Sequence, residues 1–402
     1  MGRRRTKQHQ GPHLKHSRHA KPDHLASWVA LGEDLDPEAG AQMEAACALP
    51  VAVEGVLLPD AHVGYGLPIG GVLATRGAVI PYGVGMDIAC RMRLSIVDLP
   101  VEMLHRRSQD FVDTLMRTTV FGVGGRMHPP LEHPVMDANW KVSPVTWRHR
   151  DLAWAQLGTS GAGNHFVEWG EVEVWDALGP LAPGRYVGLL SHSGSRGVGG
   201  EVARWYSSLA RKLHPELPPH LGQLAWLDVD SEAGQEYWAA MTLIGQYSAA
   251  NHELIHHRTI QAVGASALFV VENHHNFAWM ENIDGEVLVV HRKGAIPAAV
   301  GILGVIPGTM IHPAFVVEGL GLRATLFSAS HGAGRRMGRK EAMRAFSRRH
   351  LEDAVRGAGV ILMGGGVDEI PLAYKDIHEV MALQCEVVRP RARFVPRIVR
   401  MA

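Results

Sequence analysis

The chain reads GVGMDIACRM from Gly83 to Met92, a glycine-rich and otherwise apolar stretch that holds one carboxylate and one thiol. Asp87 precedes Cys90 by three residues. A carboxylate in apolar surroundings costs free energy to bury unless a partner compensates its charge. A thiol in such surroundings is either an inert packing residue or a metal ligand. The stretch therefore raises the question of which charged partner it is folded to hold.

The composition is typical of a globular protein. The 402 residues suffice for one large domain or two modest ones, and 46% of them are apolar and 20% charged. No uncharged apolar run reaches about 18 residues, so we expect no membrane span, and the N-terminus lacks the apolar segment of a secretory signal. The cysteines, Cys47, Cys90 and Cys385, lie far apart, which favours a reducing cytoplasm.

Charge is unevenly distributed, although the formal net charge is +0. The first 24 residues carry seven Lys or Arg against one Asp, and residues 389–400 hold five arginines. Basic ends suit a nucleic-acid partner, although a solvated tail is an equally good interpretation of the N-terminal arm. The 24 histidines favour metal chemistry. We predict a basic, histidine-rich flexible arm over residues 1–24 and one domain over residues 25–402.

Short apolar runs between glycines predict strands, and longer amphipathic segments predict helices. The two kinds of element do not alternate as regular βαβ units, so we predict an α+β fold with mixed sheets flanked by helices. No linker or internal repeat marks a further domain boundary. The predicted strands are residues 51–58, 72–80, 185–191, 267–272, 285–292 and 359–365, and the predicted helices are residues 100–119, 201–214, 236–263 and 338–357.

Polar residues recur beside glycines in nine loops. Glycine lets the backbone approach a ligand closely, and successive N–H groups can form a concave site for phosphate oxygens. His, Asp and Cys beside such loops are typical ligands of first-row metals, and Gly-Arg runs suit phosphate. One histidine in a glycine loop is more often a hydrogen-bonded turn residue, but folding alone hardly explains the whole set. The loops are PDAHVGYGLPIGGV (59–72), YGVGMDIACRM (82–92), LGTSGAGNHFVEWG (157–170), SHSGSRGVGG (191–200), NHHNFAW (273–279), HRKGAIPAAVG (291–301), IPGTM (306–310), SHGAGRR (330–336) and VDEIPLAYKDI (367–377).

Several common catalytic motifs are absent from the sequence. GYGLPIGG does not follow the Gly-x-Gly-x-x-Gly pattern of dinucleotide sites. GTSGA lacks the Gly-x-Ser-x-Gly order of a hydrolase nucleophile, and neither H-E-x-x-H nor the zinc deaminase pattern occurs. The motifs thus argue against these enzyme classes.

In this order, the nine segments resemble the RtcB family of RNA-splicing ligases, from about residue 25 to the C-terminus. The resemblance implies one large α+β domain around a deep two-metal cleft. It implies a GTP-dependent ligase that joins RNA 2′,3′-cyclic phosphate or 3′-phosphate ends to 5′-hydroxyl ends, in RNA repair or tRNA splicing. The implied cofactors are GTP and two Mn²⁺, with Zn²⁺ or another divalent ion as the alternative. We expect a cytoplasmic monomer, and an archease-like protein is a candidate activator.

The resemblance also implies site residues. His331 falls on the histidine that attacks the GTP α-phosphate and carries GMP, and Cys90 falls on the ligand that bridges both ions. Arg196 is a candidate for RNA phosphate. The implied metal ligands are Asp87, Cys90 and His165 for one ion and Cys90, His192 and His275 for the other. The implied nucleotide-binding residues are Asn164, His165, Phe166, Val167, Glu168, Asn276, Pro307, Gly308, Thr309, Met310, Gly332, Ala333, Gly334, Tyr374 and Arg400.

The chain departs from the family pattern at several positions. The family usually reads GVDIGCGM where this chain reads GMDIACRM, so Met86, Ala89 and Arg91 are substitutions, and Arg91 places a cation beside the cysteine. Ala314 stands near the position of a nucleotide-contacting serine, and Arg400 replaces a terminal lysine that binds GMP. These changes bear on nucleotide preference and sealing more than on metal binding. The alternative hypotheses are a metal-dependent RNA end-processing phosphoesterase that does not seal, and a non-enzymatic RNA-binding protein.

Overall fold

The computed structural model describes residues 15–16, 25–32 and 35–402. The predicted arm over residues 1–24 lies outside these ranges, except for the backbone of Lys15–His16. The described chain combines two large sheets and two short strand pairs with helices, which confirms the predicted α+β class. No helix in the described ranges is both long enough and apolar enough to cross a bilayer.

The first sheet is mixed. Its strands, numbered along the chain and given in spatial order, are β1 (Lys15–His16), β2 (Ser27–Ala30), β3 (Ala52–His62), β4 (Ile69–Thr75), β12 (Glu286–Lys293) and β11 (Asn276–Ile283). β2 runs parallel to β3, and the other neighbours are antiparallel. Val56, Val72 and Val290 pack in the core on one face of this sheet.

The second sheet nearly closes into a barrel. Its strands in spatial order are β10 (Ala267–His274), β6 (Arg91–Val97), β8 (Gly184–Ser193), β7 (Phe166–Val174), β18 (Val388–Met401), β15 (Ala314–Gly319) and β14 (Leu303–Ile306), and β17 (Ile361–Met363) pairs in parallel with β18. The Val305 N–H of β14 donates to Asn273 Oδ1 of β10 at 2.7 Å, which links the two ends of the sheet. Leu94, Leu190 and Phe394 fill the interior.

The remaining elements are two strand pairs and the helices. The pairs are β5 (Ala78–Val79) with β9 (Leu227–Asp228) and β13 (Ala295–Pro297) with β16 (Ser328–Ser330). The α-helices are α1 (Pro37–Cys47), α2 (Pro81–Val84), α3 (Glu102–Arg106), α4 (Ser108–Thr118), α5 (Pro144–Arg148), α6 (Arg150–Gln156), α7 (Arg196–Leu213), α8 (Glu232–Ala262), α9 (Arg339–Ala345), α10 (Arg348–Gly357) and α11 (Ile377–Leu383). Short 3-10 helices cover Pro134–Asp137, Trp140–Val142, Pro219–Leu224, Arg323–Thr325, Val367–Glu369 and Pro371–Ala373.

The predicted strands and helices are present, but three of them are divided. The predicted strand 72–80 turns at Gly77, whose φ of +62° suits glycine, and becomes β4 and β5. The predicted helix 100–119 breaks at Arg107 into α3 and α4. The predicted helix 338–357 breaks because the backbone is extended at Ser347, whose side chain then caps α10.

The register of the barrel-like sheet gathers several strand ends at one edge. His192 of β8 lies opposite Met92 on one side and Phe166 on the other. His274 of β10 lies opposite Arg91. Because neighbouring strands are antiparallel, the starts of β6 and β7 lie beside the ends of β8 and β10. The residues gathered at this edge include Cys90, His165, His192 and His275.

Candidate functional site

The loop between α2 and β6 presents Asp87 and Cys90. Ala89 takes a left-handed φ of 54°, its N–H donates to Asn276 O at 2.7 Å, and the Cys90 N–H donates to Asp87 O at 3.1 Å. Asn276 Nδ2 donates to Asp87 O at 3.1 Å. Asn276 thus holds the loop from both its backbone and its side chain, a positioning contact that the sequence did not reveal.

Ser195, directly before α7, forms hydrogen bonds with the Asp87 carboxylate. Asp87 Oδ1 accepts from the Ser195 N–H at 2.8 Å and from Ser195 Oγ at 3.0 Å. A Cβ at Gly194 would lie 2.0 Å from Asp87 Oδ2, so only glycine allows this approach. Burial raises the pKa of Asp87, but the hydrogen bond and charge of His165 outweigh burial and keep that pKa below its usual value.

Asp87, Cys90, His165, His192 and His275 form one buried cluster, called the ligand cluster below. Cys90 Sγ lies 3.2 Å from His192 Nε2 and 3.6 Å from His165 Nε2. His192 Nε2 lies 3.3 Å from His275 Nε2, and His165 Nε2 lies 3.1 Å from Asp87 Oδ2. Two groups of ligand atoms, each within 4.8 Å, could hold a metal ion: Asp87, Cys90 and His165, and Cys90, His192 and His275. Cys90 belongs to both groups.

The ligand cluster fits divalent cations chemically. Burial lowers the pKa of His192 to about 3 and lowers the pKa of His275 well below its usual value, so both imidazoles are neutral and keep a lone pair. Burial, followed by the charge of Asp87, raises the pKa of the Cys90 thiol well above its usual value. His275 Nδ1 is buried without a hydrogen-bond partner among the described residues. A cation would supply the charge that a thiolate at Cys90 requires.

Arg196 imposes a condition on metal binding at His165. Arg196 Nη2 donates to His165 Nδ1 at 3.0 Å, so the proton of the neutral imidazole sits on Nε2, toward Asp87. A neutral imidazole that binds a metal through Nε2 carries its proton on Nδ1 instead. Occupation of this group therefore requires Arg196 to leave His165 Nδ1.

The neighbouring His274 does not join the ligand cluster. Its ring stacks on Trp279 with centroids 5.1 Å apart, whereas His275 turns to His192 and His331. The alternation of side chains along a strand separates the two histidines.

His331 lies across the cluster, directly after β16. Its Nδ1 lies 2.7 Å from Asp60 Oδ2, and its backbone N–H donates to the same oxygen at 3.1 Å. Asp60 is fully buried in β3; burial raises its pKa, but the hydrogen bond and charge of His331 outweigh burial and hold the carboxyl below its usual pKa. Because an ionised carboxylate only accepts, Nδ1 carries the proton and Nε2 keeps the lone pair. The structure thus prepares Nε2 of His331 as a nucleophile or base.

A cavity of about 220 Å³ opens between His331 and the ligand cluster. Most of the predicted nucleotide-binding residues line it, together with two of the predicted metal ligands: Asn164, Phe166, Pro307, Gly308, Thr309, Met310, Gly332, Ala333, Gly334, Tyr374, His192 and His275. The sequence analysis did not select His62, Arg335, Arg339, Glu369 or Met401, which line it too. Arg335 and Arg339 both pair with Glu369, and Tyr374 also hydrogen-bonds that carboxylate. Arg335 belongs to SHGAGRR, and Glu369 and Tyr374 belong to VDEIPLAYKDI, two of the nine loops, whereas Arg339 lies three residues after SHGAGRR.

A second cavity of about 280 Å³ lies on the other side of the ligand cluster. Asp87, His165 and Arg196 line it, with the glycines of residues 122–125. His165 therefore faces this second cavity rather than the first, and the ligand cluster separates the two.

Besides His165, four predicted nucleotide-binding residues do not line the first cavity. Val167 packs in the apolar cluster behind β7, and Asn276 holds the Asp87 loop. Glu168 is a buried carboxyl of β7 whose pKa burial raises well above its usual value. Arg400 Nη1 donates to the carbonyl oxygens of α4 and the residue after it, at 2.7 to 3.0 Å. Free carbonyls at a helix end attract cations, which is why Arg400 turns away from the first cavity.

Two substitutions within the family pattern also face away from the ligand cluster. Arg91 is buried, forms an ion pair with Glu272 and donates to Gly245 O at 3.2 Å. Its guanidinium is therefore neutralised on the opposite side of β6 from Cys90. Ala314 packs in the interior of the barrel-like sheet.

A hydrogen-bonded chain of side chains fixes β8 to α8 behind the ligand cluster. His252 Nε2 lies 3.1 Å from Ser193 O, which can only accept, so Nε2 carries the proton and Nδ1 accepts from Ser191 Oγ at 2.7 Å. Ser191 Oγ accepts from His256 Nε2 at 2.8 Å, and His256 Nδ1 accepts from Ser95 Oγ at 2.8 Å. Burial lowers the pKa of both histidines, which agrees with their neutral form. The chain therefore anchors both neighbours of His192.

We expect His252→Ala to lower the free energy of unfolding by roughly 1–3 kcal/mol, because Ser191 Oγ and Ser193 O lose a buried partner. Denaturant unfolding monitored by circular dichroism measures the change. His257→Ala, an exposed histidine on the same helix, is the matched control and should change stability by less than about 0.5 kcal/mol. Equal stability of the two variants would contradict the hydrogen-bond assignment.

The buried histidines predict an acid-sensitive fold for the metal-free protein. The pKa is lowered from the ordinary 6.5 to about 3 for His192 and His274, and to about 4 for His62 and His291, in each case chiefly by burial. The unfolded chain binds more protons below its histidine pKa, so stability is full above that value and falls as the pH drops. The slope reaches about 1.4 kcal/mol per pH unit for each such histidine. Unfolding curves between about pH 7.5 and pH 5 test this, and a flat profile would refute it.

Comparison with known proteins shows the family of this chain. The model of the family described as tRNA-splicing ligase RtcB matches residues 42–141 and 132–402. The RNA-splicing ligase RtcB of Escherichia coli K12 is 31% identical over 394 residues, which cover 89% of this chain and 92% of that protein. That of Mycobacterium tuberculosis is 32% identical over 410 residues, covering 84% and 94%, and the tRNA-splicing ligase RtcB of Methanococcus maripaludis is 28% identical over 425 residues, covering 87% and 88%. The extent of these matches confirms the resemblance of the nine loops: the chain belongs to the RtcB family.

Proposed function

We propose that this protein joins RNA 2′,3′-cyclic phosphate or 3′-phosphate ends to 5′-hydroxyl ends, using GTP and two divalent ions, with Mn²⁺ as the expected ion. Membership of the RtcB family makes the chain an RNA ligase. The observation that carries the finer proposal is the placement of His331, which buried Asp60 holds through Nδ1, in one cavity with His192 and His275.

The ligand cluster would hold the two ions, with Cys90 shared between them. Bound there, divalent ions supply positive charge that stabilises the phosphates and the phosphorus under attack. The protein itself keeps the imidazoles neutral and the thiol and carboxylate buried. Cations that bind there would therefore stabilise the site strongly. The first and second cavities give the ligand cluster two open sides, which we interpret as the two-metal cleft.

His331 would act as the nucleophile. Its Nε2 lone pair attacks the α-phosphorus of GTP, a P–N bond forms, and the bond to the departing pyrophosphate breaks. Asp60 stabilises the positive charge that develops on the imidazole through the Nδ1 hydrogen bond. At a 2′,3′-cyclic phosphate end, water first adds to the phosphorus and the bond to O2′ breaks, which leaves a 3′-phosphate. An oxygen of the RNA 3′-phosphate then displaces His331 and takes GMP. The 5′-hydroxyl oxygen finally attacks the activated 3′-phosphate, and GMP leaves.

The first cavity would hold the nucleotide. Gly334 has a φ of +72°, and a Cβ there would lie 2.2 Å from Asp60 O, so glycine is required beside the nucleophile. Phe166 and Tyr374 supply aromatic surface on its wall, and Arg335 and Arg339 supply cations for phosphate. Because Ala314 and Arg400 face elsewhere, we assign base recognition to this wall rather than to the C-terminal arginine.

One observation favours a second function, the end-processing phosphoesterase. Arg400 is bound to carbonyl oxygens near the end of α4 and does not reach the first cavity. Weak nucleotide binding would leave an enzyme that opens a cyclic phosphate without sealing. Accumulation of 3′-phosphate RNA without joined product would identify this function.

We expect the wild type to acquire label from α-³²P-GTP with Mn²⁺ and His331→Ala to acquire none, because His331 is the proposed nucleophile and its Nδ1 is held by the Asp60 carboxylate. Asp60→Asn should slow labelling by at least about 100-fold, since the proton on Nδ1 loses its charged acceptor. Acid-labile label on a denaturing gel is the measurement, and His257→Ala is the control. Label on His331→Ala would refute the assignment. Joining of a cyclic-phosphate strand to a 5′-hydroxyl strand tests ligation in parallel.

Metal content tests the sharing of Cys90. We expect two equivalents of Mn²⁺ or Zn²⁺ in the wild type and fewer than one in Cys90→Ala, because both ligand groups include this sulfur. Plasma mass spectrometry after dialysis measures the content. Cys47→Ala is the matched control, since Cys47 is a buried cysteine in a separate apolar core. Equal metal content in Cys90→Ala and the wild type would overturn the proposed bridging role.

A further inference from the structure

The helix α7 leads away from the ligand cluster. The helix begins at Arg196, which lines the second cavity and contacts His165. Farther along, Arg204 and Trp205 are exposed, and the Trp205 side chain is 42% accessible. The helical rise of about 1.5 Å per residue places Trp205 about 13 Å along the axis from Arg196, and at about 3.6 residues per turn it places the two residues on opposite sides of the helix.

Cations lie over exposed indole rings beside this helix. The Arg148 guanidinium lies 5.8 Å from the centroid of the Trp205 ring, which joins α5 to α7. Trp147, the residue before Arg148, is 53% exposed, and Lys141 Nζ lies 5.0 Å from its centroid. Lys141, Trp147, Arg148, Arg204 and Trp205 thus form one patch, called the aromatic–cationic surface below.

The charges of the aromatic–cationic surface favour a polyanion. Within the described residues, neither Lys141 nor Arg148 forms an ion pair with a carboxylate, and only Arg204 is paired, with Glu201 at 2.5 Å. Exposed tryptophans and unpaired cations complement the bases and the phosphates of a single nucleic-acid strand, respectively. The bases stack on indole rings, and the phosphates attract the cations. Tryptophan and arginine also anchor protein interfaces, but unpaired lysine is depleted there.

We propose that the aromatic–cationic surface binds the single-stranded RNA that leads to the end being joined. The proposal rests on the proposed function, because it assigns a docking track to the substrate of the same site. The axial distance from Arg196 to Trp205 alone corresponds to about four nucleotides at the stacked spacing of about 3.4 Å, and a strand that crosses α7 needs more. RNA longer than this reaches both tryptophans, whereas a shorter substrate engages only the ligand cluster.

The binding test uses a fluorescein-labelled single strand of RNA about ten nucleotides long, with anisotropy as the readout and without GTP. We expect the double variant Trp147→Ala, Trp205→Ala to weaken binding by at least about ten-fold, since one base stacked on an aromatic ring accounts for such a factor. Trp175→Ala is the matched control, because Trp175 is 40% exposed but packs near Phe315 on the opposite sheet. Melting temperatures within a few degrees of the wild type establish that the variants are folded.

A charge test addresses the cations separately. Lys141→Gln and Arg148→Gln should each reduce the slope of log Kd against log salt by about one, the signature of a lost phosphate contact. Steady-state ligation adds a length test: the double tryptophan variant should raise KM for long substrates and leave KM unchanged for substrates with two nucleotides beside the junction.

Equal RNA affinity of the wild type and the double variant would overturn the aromatic–cationic surface as a docking track, and so would an equal loss in Trp175→Ala. Neither result would contradict the proposed function, because GTP labelling of His331 in the wild type tests that function without RNA. The opposite outcome is that GTP labelling fails while RNA binding still depends on both tryptophans. That outcome would support the aromatic–cationic surface and reject the ligase mechanism.

Discussion

The pairing of β8 with β6 and β7 is the constraint on which the candidate site depends. His192 sits opposite Met92 and Phe166, and side chains alternate across a strand. His192 therefore faces the first cavity, while Ser191 and Ser193 face His252 on α8. A slip of one residue would exchange these faces and remove His192 from the ligand cluster. The hydrogen-bonded chain to α8 opposes such a slip, because it satisfies both serines only in the observed register.

Compensation of buried charge organises the site around this edge. Asp87 and Asp60 are carboxylates at its two ends, and each meets an imidazole, His165 in one case and His331 in the other. The neutral histidines and the Cys90 thiol between them lack a positive charge of their own. Asp87 and Cys90 thus lie where two groups of ligand atoms could hold cations, and a cation would compensate the charge of the thiolate and the carboxylate when both are ionised.

The departures from the family pattern have different consequences in the folded chain. Arg91 stands beside the key cysteine, yet its guanidinium meets Glu272 on the far side of β6. Arg400 keeps the charge of the lysine it replaces, but α4 offers carbonyl oxygens that bind it. The guanidinium of Arg91 is thus paired with Glu272, and that of Arg400 lies outside the first cavity. We therefore expect these departures to bear on nucleotide binding more than on metal binding.

The sequence by itself predicted the α+β class and most strands and helices, because apolar periodicity is a local property of the chain. The resemblance of its long motifs to the RtcB family implied the members of the ligand cluster and His331. Only the tertiary structure decided the partner of His331, since Asp60 lies 271 residues away and β3 must pack against β16 before the two side chains meet. It likewise decided the direction of Arg400 and brought Arg148 over the Trp205 ring. The direction of a side chain depends on which groups from distant parts of the chain lie within its reach. A local sequence pattern does not contain that information.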